Sequence, residues 1–430
     1  MLIVINVSDM LGGYGDFVFA CRAAEVVREV LDDLRVMDAE IIVVTGPKGM
    51  GKAEDIKLAE YFKLQFFQKK DLEEKLIRED KQIDLLLDGP AFLLARYQRL
   101  SLTTPIILSF EYSIQGRIDQ SAIQGYYKKH ANHLSVFKTG LAEQEDGIFV
   151  VDSLVQAAKD RQEGSSHKLL NHWQQMNPDI LQFLLSSPPA DINALSIENY
   201  YAAHEVYFGY AHKELDQFFG IQMACAQYSK KNQDVVVVQR GNEIDKLKDR
   251  LPILISQGYN KIIYWNKEDK VQVVLYDEGK LDGKVYRLMH ARDLPIKDMV
   301  IFHAISESLT SVTGDQSFTE AISADKILHY ECLPHKQQLL IAYLNLFNQM
   351  DAVSPATKEA VRLMQAAMTG AEYDSLAVLL QDPLVKQEIH QVNQHIIDQH
   401  NFTILLKARV TDIIEPLLKK ENDNSIIKSM

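Results

Sequence analysis

The spacing of apolar positions changes repeatedly along this chain. Residues 2–8 (LIVINVS) form a nearly unbroken apolar, β-branched run, the pattern of a strand buried on both faces. A glycine-rich stretch follows. Then Phe17, Ala20, Ala24, Val27, Leu31 and Leu34 recur at helical spacing. Further strand-like runs lie at 40–45 (EIIVVT), 83–88 (IDLLLD) and 105–110 (PIILSF), with helical stretches between them. The run at 147–152 (GIFVVD) is expected to be the last strand of this half. Strands alternating with helices predict a parallel sheet covered on both faces.

From about 153 to 230 the pattern turns mostly helical and aromatic, with Tyr200, Tyr201, Tyr207, Phe208 and Tyr210 packed close in sequence and SSPPAD (186–191) as a break. Strand-like runs resume at 234–239 (DVVVVQ), 261–266, 271–276, 299–304 (MVIFHA) and 326–331 (KILHYE), with a helix expected near 243–257. Beyond 350 the chain reads as helical and ends in a polar tail. The predicted class is therefore α/β: two Rossmann-like domains facing across a cleft, with a helical insertion and a helical C-terminal extension. The boundaries read as 1–152, 153–230, 231–350 and 351–430. In open parallel sheets a ligand binds at the carboxyl ends of the strands, so the cleft is the expected site.

Composition narrows the function. The 430 residues suit about two to three domains. The formal net charge of −13 gives no general attraction to nucleic acid or to an anionic membrane. Cys21, Cys225 and Cys332 are far apart, which argues against a zinc set or a disulfide framework and suits a reducing compartment. The apolar N-terminus lacks the basic start of a signal peptide, and no apolar run is long enough to span a bilayer. A cytoplasmic protein without stable membrane insertion is expected.

Two turns carry candidate chemistry. The first is Gly12, Gly13, Tyr14, Gly15 and Asp16, directly after the first buried strand. Glycines there let the backbone approach a ligand. Asp16 stands where the next helix begins, and Asp9 lies seven positions before it. Either carboxylate is suited to take a proton from an acceptor nucleophile. An ordinary helix cap explains Asp16 equally well. The second turn is Gly314, Asp315, Gln316 and Ser317. Ser317 and Glu320 match a capping box, which predicts a helix start there. A helix N-terminus reached through a glycine is a ready anion site, and Asp315 suits hydrogen bonding to ribose hydroxyls.

Weaker candidates are Arg240 and Gly241 at the end of a strand, where a phosphate can meet a guanidinium, and His303 at the end of the 299–304 run. Residues 46–52 (GPKGMGK) imitate a phosphate-binding loop, but Ala53 stands where the motif needs Ser or Thr. His395 and His400 lack the spacing of a metal pair, so no metal ligand is assigned.

Together the two turns resemble those of bacterial glycosyltransferases of the GT-B fold, above all the protein-arginine rhamnosyltransferase family. The first turn is also similar to that of heptosyltransferases. The matching stretches are Gly13-Tyr14-Gly15-Asp16 and Gly314-Asp315-Gln316-Ser317. The resemblance implies an inverting, metal-independent transfer from a nucleotide-diphosphate sugar, with no cofactor besides that donor. The acceptor would be a glycan, a lipid-linked sugar or a protein, presented by the N-terminal domain. Asp16 matches an aspartate implicated in the family's catalysis. The family's other aspartate falls on Gly12, which leaves Asp9 as the nearest carboxylate. Asp315 aligns with a nucleotide-binding glutamate, and Ser317 with a serine beside the diphosphate. A nucleotide-sugar hydrolase or epimerase of the same fold, or a non-catalytic scaffold on a decayed transferase fold, are the alternatives.

Overall fold

A computed structural model describes residues 1–7, 14–45, 52–89, 97, 100, 101, 103–110, 120–131, 133–185, 191–212, 215–239, 241, 243–280, 283–368 and 370–429. The chain divides into two units. The first comprises 1–149, 335–342 and 398–430, and the second 150–334 and 343–397. Each is a Rossmann-like layering of helices on a mainly parallel sheet, as the alternating pattern predicted.

The first unit's described strands are β1 (Leu2–Val7), β2 (Glu40–Thr45), β3 (Gln65–Gln68), β4 (Leu85–Asp88), β5 (Ile106–Phe110) and β6 (Leu134–Lys138). Their spatial order is β3-β2-β1-β4-β5-β6, and every pairing is parallel. Ile3 pairs with both Ile41 and Leu85, which sets the register of the central three strands. Alternate residues of each strand serve opposite faces. Val4, Leu86, Ile106 and Leu108 pack with Leu72, Leu76, Ile123 and Tyr127 in one core cluster. The helix Tyr14–Asp33 follows β1 and buries Phe17, Ala20, Ala24, Val27 and Leu31, the periodic positions of the sequence.

The run at 147–152 is not a strand. Gly147 has φ +94°, and a Cβ there would stand 2.2 Å from the His400 carbonyl oxygen. The segment makes isolated bridges only, Gly140 to Gly147 and Ile148 to Asn401. Phe149 packs on Phe19 and Phe402, and Asp152 already begins the helix Asp152–Gln162. The apolar character of this run therefore reflects burial without sheet pairing. The last described strand of this sheet is β6.

The second unit holds β7 (His204–Tyr210), β8 (Asn232–Val238), β9 (Tyr259–Asn266), β10 (Val271–Asp277), β11 (Lys284–Ala291), β12 (Leu309–Thr313) and β13 (Ile327–Glu331). Their order is β10-β9-β11-β8-β7-β12-β13, and only the β10–β9 pairing is antiparallel. Two expectations change here. The segment read as a helical insertion supplies β7, whose Val206, Tyr207, Phe208 and Gly209 are buried at the centre of the sheet. Gly209 makes room for Phe218, whose ring would lie 2.7 Å from an added Cβ. The run 299–304 is not a strand but part of the helix Ile296–Ile305, with Val300 to Ile305 all buried. A helix wrapped by core on all sides is apolar all round, so its sequence carries no helical period.

The capping box expected at Ser317 and Glu320 is also absent. The helix is Asp315–Ser323, its N-cap is Gly314, and no side chain caps it. Ser317 is therefore its third residue. Among the described residues no helix is long and apolar enough to cross a membrane.

Candidate functional site

A doubly wound sheet offers a crevice where its strand order reverses, at the carboxyl ends of two adjacent strands. In the second unit the chain runs from β7 through β8 to one side, then returns to β12 on the other. The reversal falls between β7 and β12, and the turn after β12 is Gly314 to Ser317. Gly314 has φ +78° and ψ 158°, a conformation essentially confined to glycine. An added Cβ there meets no described atom within 4 Å, so among the described residues the space beside the turn is open. The N-cap residue is a glycine and brings no capping side chain to the first N–H groups of the following helix, and such groups carry the positive end of the helix dipole.

Asp315, Ser317, Tyr330 and Glu331 beside this turn are buried, and Gln316 is half-buried. Asp315 is the first helical residue, and Tyr330 donates its hydroxyl hydrogen to Asp315 Oδ1 at 3.4 Å. Tyr330 also packs edge-on against Phe318. Gln316 Nε2 donates to Glu320 Oε1 at 3.1 Å, and Ser317 is buried in the same turn. Thr313 Oγ1 donates to the Glu331 carbonyl at 3.2 Å, tying β12 to β13 at their carboxyl ends. The Glu331 carboxylate accepts the backbone N–H of His212, just beyond β7.

Two strands further along the same edge, Gln239 follows β8. Its Nε2 reaches the His212 carbonyl at 3.4 Å, while its Oε1 is buried without a hydrogen-bond partner. His290 Nε2 is 2.8 Å from the Gln239 carbonyl, and Tyr264 is hydrogen-bonded to His290 Nδ1 at 3.0 Å. Gly241 lies at this edge and is exposed. Arg240 falls outside the described residues. Tyr330, Glu331, His212 and Gln239 were not singled out by sequence. Their signal was positional, since each ends or follows a strand.

His303 does not join this edge. It sits in the last turn of the helix Ile296–Ile305, which starts after β11 ends and leads toward the start of β12. Its ring is fully buried, 5.0 Å from the Phe208 ring centroid, and neither ring nitrogen has a hydrogen-bond partner among the described residues. Burial, with Lys326 and Arg161 nearby, pushes its pKa down to about 3. A neutral histidine in an apolar core is a packing residue.

In the first unit the order reverses between β1 and β4. Asp9, Gly12 and Gly13, which follow β1, lie outside the described residues. Gly15 and Asp16 occupy the first turn of the helix Tyr14–Asp33, Gly15 exposed and Asp16 half-buried. A carboxylate in a first helical turn is favoured as the anion by the dipole.

The residue that ends β4 is Asp88, which sequence reasoning passed over. It is registered opposite Asn6 of β1, and both are buried. Asn6 Nδ2 donates to Asp88 Oδ1 at 2.7 Å, and Tyr127 donates its hydroxyl hydrogen to Asp88 Oδ2 at 2.6 Å. Tyr97 donates to Asn6 Oδ1 at 2.7 Å. Burial pushes the Asp88 carboxyl up to about 6, against the pull of Tyr127, Asn6 and the Lys69 charge. The first sheet thus carries a closed polar network at its own reversal point.

No known family model matches this sequence, and no curated protein does. Solved structures are similar to it over almost their whole length. One is MurG of Acinetobacter baumannii, at 9% identity over 96% of this chain and 99% of that one, with a TM-score of 0.46. Another is a glycosyltransferase from Rickettsia africae ESF-5, at 11% identity, 97% and 98% coverage, and a TM-score of 0.42. A third is Anabaena Alr3699/HepE in complex with UDP and glucose, at 11% identity, 97% and 100% coverage, and a TM-score of 0.39.

Proposed function

We propose that the chain is a glycosyltransferase that uses a nucleotide-diphosphate sugar, inverts the anomeric centre and needs no metal ion. The observation that carries this reading is the helix N-terminus entered through Gly314 in a glycine-only conformation, where β12 ends at the sheet's reversal point beside β7. Backbone N–H groups at such a turn suit a diphosphate, and the open space beside Gly314 lets it approach the backbone. In this reading Asp315 and Gln316 take the ribose hydroxyls, and Ser317 meets a phosphate oxygen.

In the reaction an acceptor oxygen or nitrogen attacks the anomeric carbon from the face opposite the diphosphate. The new glycosidic bond forms as the bond to the phosphate oxygen breaks, and the nucleoside diphosphate leaves with that electron pair. The acceptor proton passes to Asp16, aided by Asp9. The helix dipole and N–H groups of the 314–317 turn stabilise the charge that develops on the leaving group. Glycans, lipid-linked sugars and protein side chains are the acceptor classes.

Calorimetric titration with UDP, TDP, GDP and ADP, with and without EDTA, tests the donor half. One of them should bind regardless of EDTA and lose affinity by at least about tenfold in Asp315→Ala, a loss of about 1.4 kcal/mol. Asp16→Asn should keep that affinity and lose transfer from the matching nucleotide sugar. Absence of binding by all four sinks the reading. Release of free sugar without an acceptor points instead to the hydrolase.

A further inference from the structure

The second unit has a cavity of about 180 Å³ at the end of its sheet away from the 314–317 turn. Glu205 is the second residue of β7, while Leu309 and Ile327 begin β12 and β13, and all three line it. β7 spans seven residues, so this end lies about 20 Å from the carboxyl edge. The cavity is therefore separate from the proposed donor site, and the inference does not depend on that site.

Its walls carry charged groups that make no direct ion pair among the described residues. Glu205 is fixed by a relay of buried side chains. Tyr286 donates to Gln222 Oε1 at 3.1 Å, Gln222 Nε2 to Gln233 Oε1 at 3.2 Å, and Gln233 Nε2 to Glu205 Oε2 at 2.7 Å. Tyr207 donates to the same Oε2 at 3.2 Å. Gln222, Gln233 and Tyr286 are fully buried. Both donors meet one oxygen, so Oε1 has no partner among the described residues.

Glu307 also lines the cavity, close to Glu205. Its backbone is held, with its N–H donated to the Val206 carbonyl at 2.7 Å and its carbonyl accepting from Lys326 Nζ at 2.9 Å. Its carboxylate has no hydrogen bond or ion pair among the described residues. Burial and the neighbouring Glu205 raise its pKa, while Arg161, Lys326 and Lys231 pull the other way. Lys386 also lines the cavity, and its ammonium makes no ion pair among the described residues. Tyr228 and Ser229 add hydroxyl groups. Two carboxylates and one ammonium thus face a space that holds a molecule of about benzene size or somewhat larger. All three groups are half-buried, and a charge drawn partly out of water is stabilised by an opposite partner. A ligand with one positive and one negative group completes both sets, whereas a simple cation leaves Lys386 unmatched.

We propose that this cavity is a second ligand site, which takes a small zwitterion of free amino acid size. Its ammonium group sits against Glu205 and Glu307, and its acid group against Lys386. Titration calorimetry of the full chain with the proteinogenic amino acids tests this, with ethylamine and propionate as single-charge controls. At least one amino acid should bind, and each control at least about tenfold more weakly. Glu307→Gln and Lys386→Met should each weaken the amino acid by at least about tenfold while melting close to the parent without ligand. If Glu307→Gln does not fold, Lys386→Met carries the test, because its side chain is only part-buried on a helix. Binding by no amino acid, equal affinity in a folded variant, or tighter binding of ethylamine each overturns the proposal.

Discussion

Tyr127 donates its hydroxyl hydrogen to Asp88 Oδ2 at 2.6 Å, so a carboxyl group on the apolar face of the first sheet is held by a tyrosine 39 positions away. Burial still dominates, and Asp88 titrates near 6 rather than at its ordinary value of 3.8. A carboxyl whose folded pKa lies above its unfolded pKa makes the protein less stable as pH rises between the two. The window here is about pH 4 to 6, and the cost of holding the anion is on the order of 3 kcal/mol. Asp88→Asn cannot ionise. The stability difference between Asp88→Asn and the parent should therefore move in favour of the variant from pH 4 to 7, by up to that amount. Urea midpoints measured across this range check it, and a flat difference rules it out.

Removing the hydroxyl has the opposite consequence. In Tyr127→Phe the Asp88 anion loses a charge-assisted hydrogen bond, so its pKa rises further. Near pH 7 the variant should be about 1.5–3 kcal/mol less stable, and the deficit should shrink below pH 5 as Asp88 becomes neutral. Denaturant titrations at pH 4.5 and 7.5 distinguish this from a packing loss, which is equal at both.

The buried pair in the second unit is a different case. Arg287 Nε and Nη2 donate to Asp234 Oδ1 and Oδ2 at 2.5 and 2.6 Å, and Tyr200 donates to Oδ2 at 2.6 Å. Arg287 also donates to the carbonyls of Phe183 and Leu184, in the last turn of the helix Pro178–Leu185. Opposite charge wins over burial, and the Asp234 carboxyl lies below its usual range. Arg287→Met leaves a buried carboxylate without its main partner and two carbonyls without donors. The expected loss is about 3–5 kcal/mol, with Asp234→Asn recovering part of it in the double variant. Chemical denaturation of the four proteins measures the coupling.

These networks explain which parts of the molecule the sequence revealed. Strands β1, β2, β4, β5, β8, β9, β10 and β13 are runs of apolar or β-branched residues, and periodicity locates them. β12 reads LTSVT, and three of its five residues are polar. It is buried because Thr310 Oγ1 donates to the Phe208 carbonyl and Ser311 is hydrogen-bonded to His329. Those partners are remote in sequence, so no local pattern marks the strand. The turn at Gly314 was legible as a break before a helix because glycine beside acid is a local signal. Asp88 was not, because Asn6, Tyr97 and Tyr127 meet it only after the sheet has formed. The 299–304 run failed for a different reason, since complete burial erases the difference between a helix and a strand.

His303 provides a direct check on that misreading. Its two ring nitrogens are buried without partners, and it is neutral throughout the physiological range. Replacing an unsatisfied buried polar group by an apolar one of similar shape is neutral or stabilising. His303→Phe, or His303→Leu where the larger ring overpacks, should melt at or above the parent. Neither should change nucleotide affinity. A drop of about tenfold or more in affinity with an unchanged melting temperature would return His303 to the site.

Gly314 ties conformation to the proposed donor site. Its φ of +78° with ψ of 158° lies in a region that costs a non-glycine residue about 1–3 kcal/mol. Among the described residues a methyl group in Gly314→Ala meets no atom, and the expected loss is backbone strain. A stability loss within that range therefore shows that the turn keeps its conformation. The added methyl group then stands where a diphosphate would approach the backbone. Gly314→Ala should consequently weaken nucleotide binding by at least about tenfold, beyond what its modest destabilisation explains, with the second unit still folded by circular dichroism. Full nucleotide affinity in a folded Gly314→Ala protein would mean that the diphosphate does not bind at this turn, even if the chain is a glycosyltransferase.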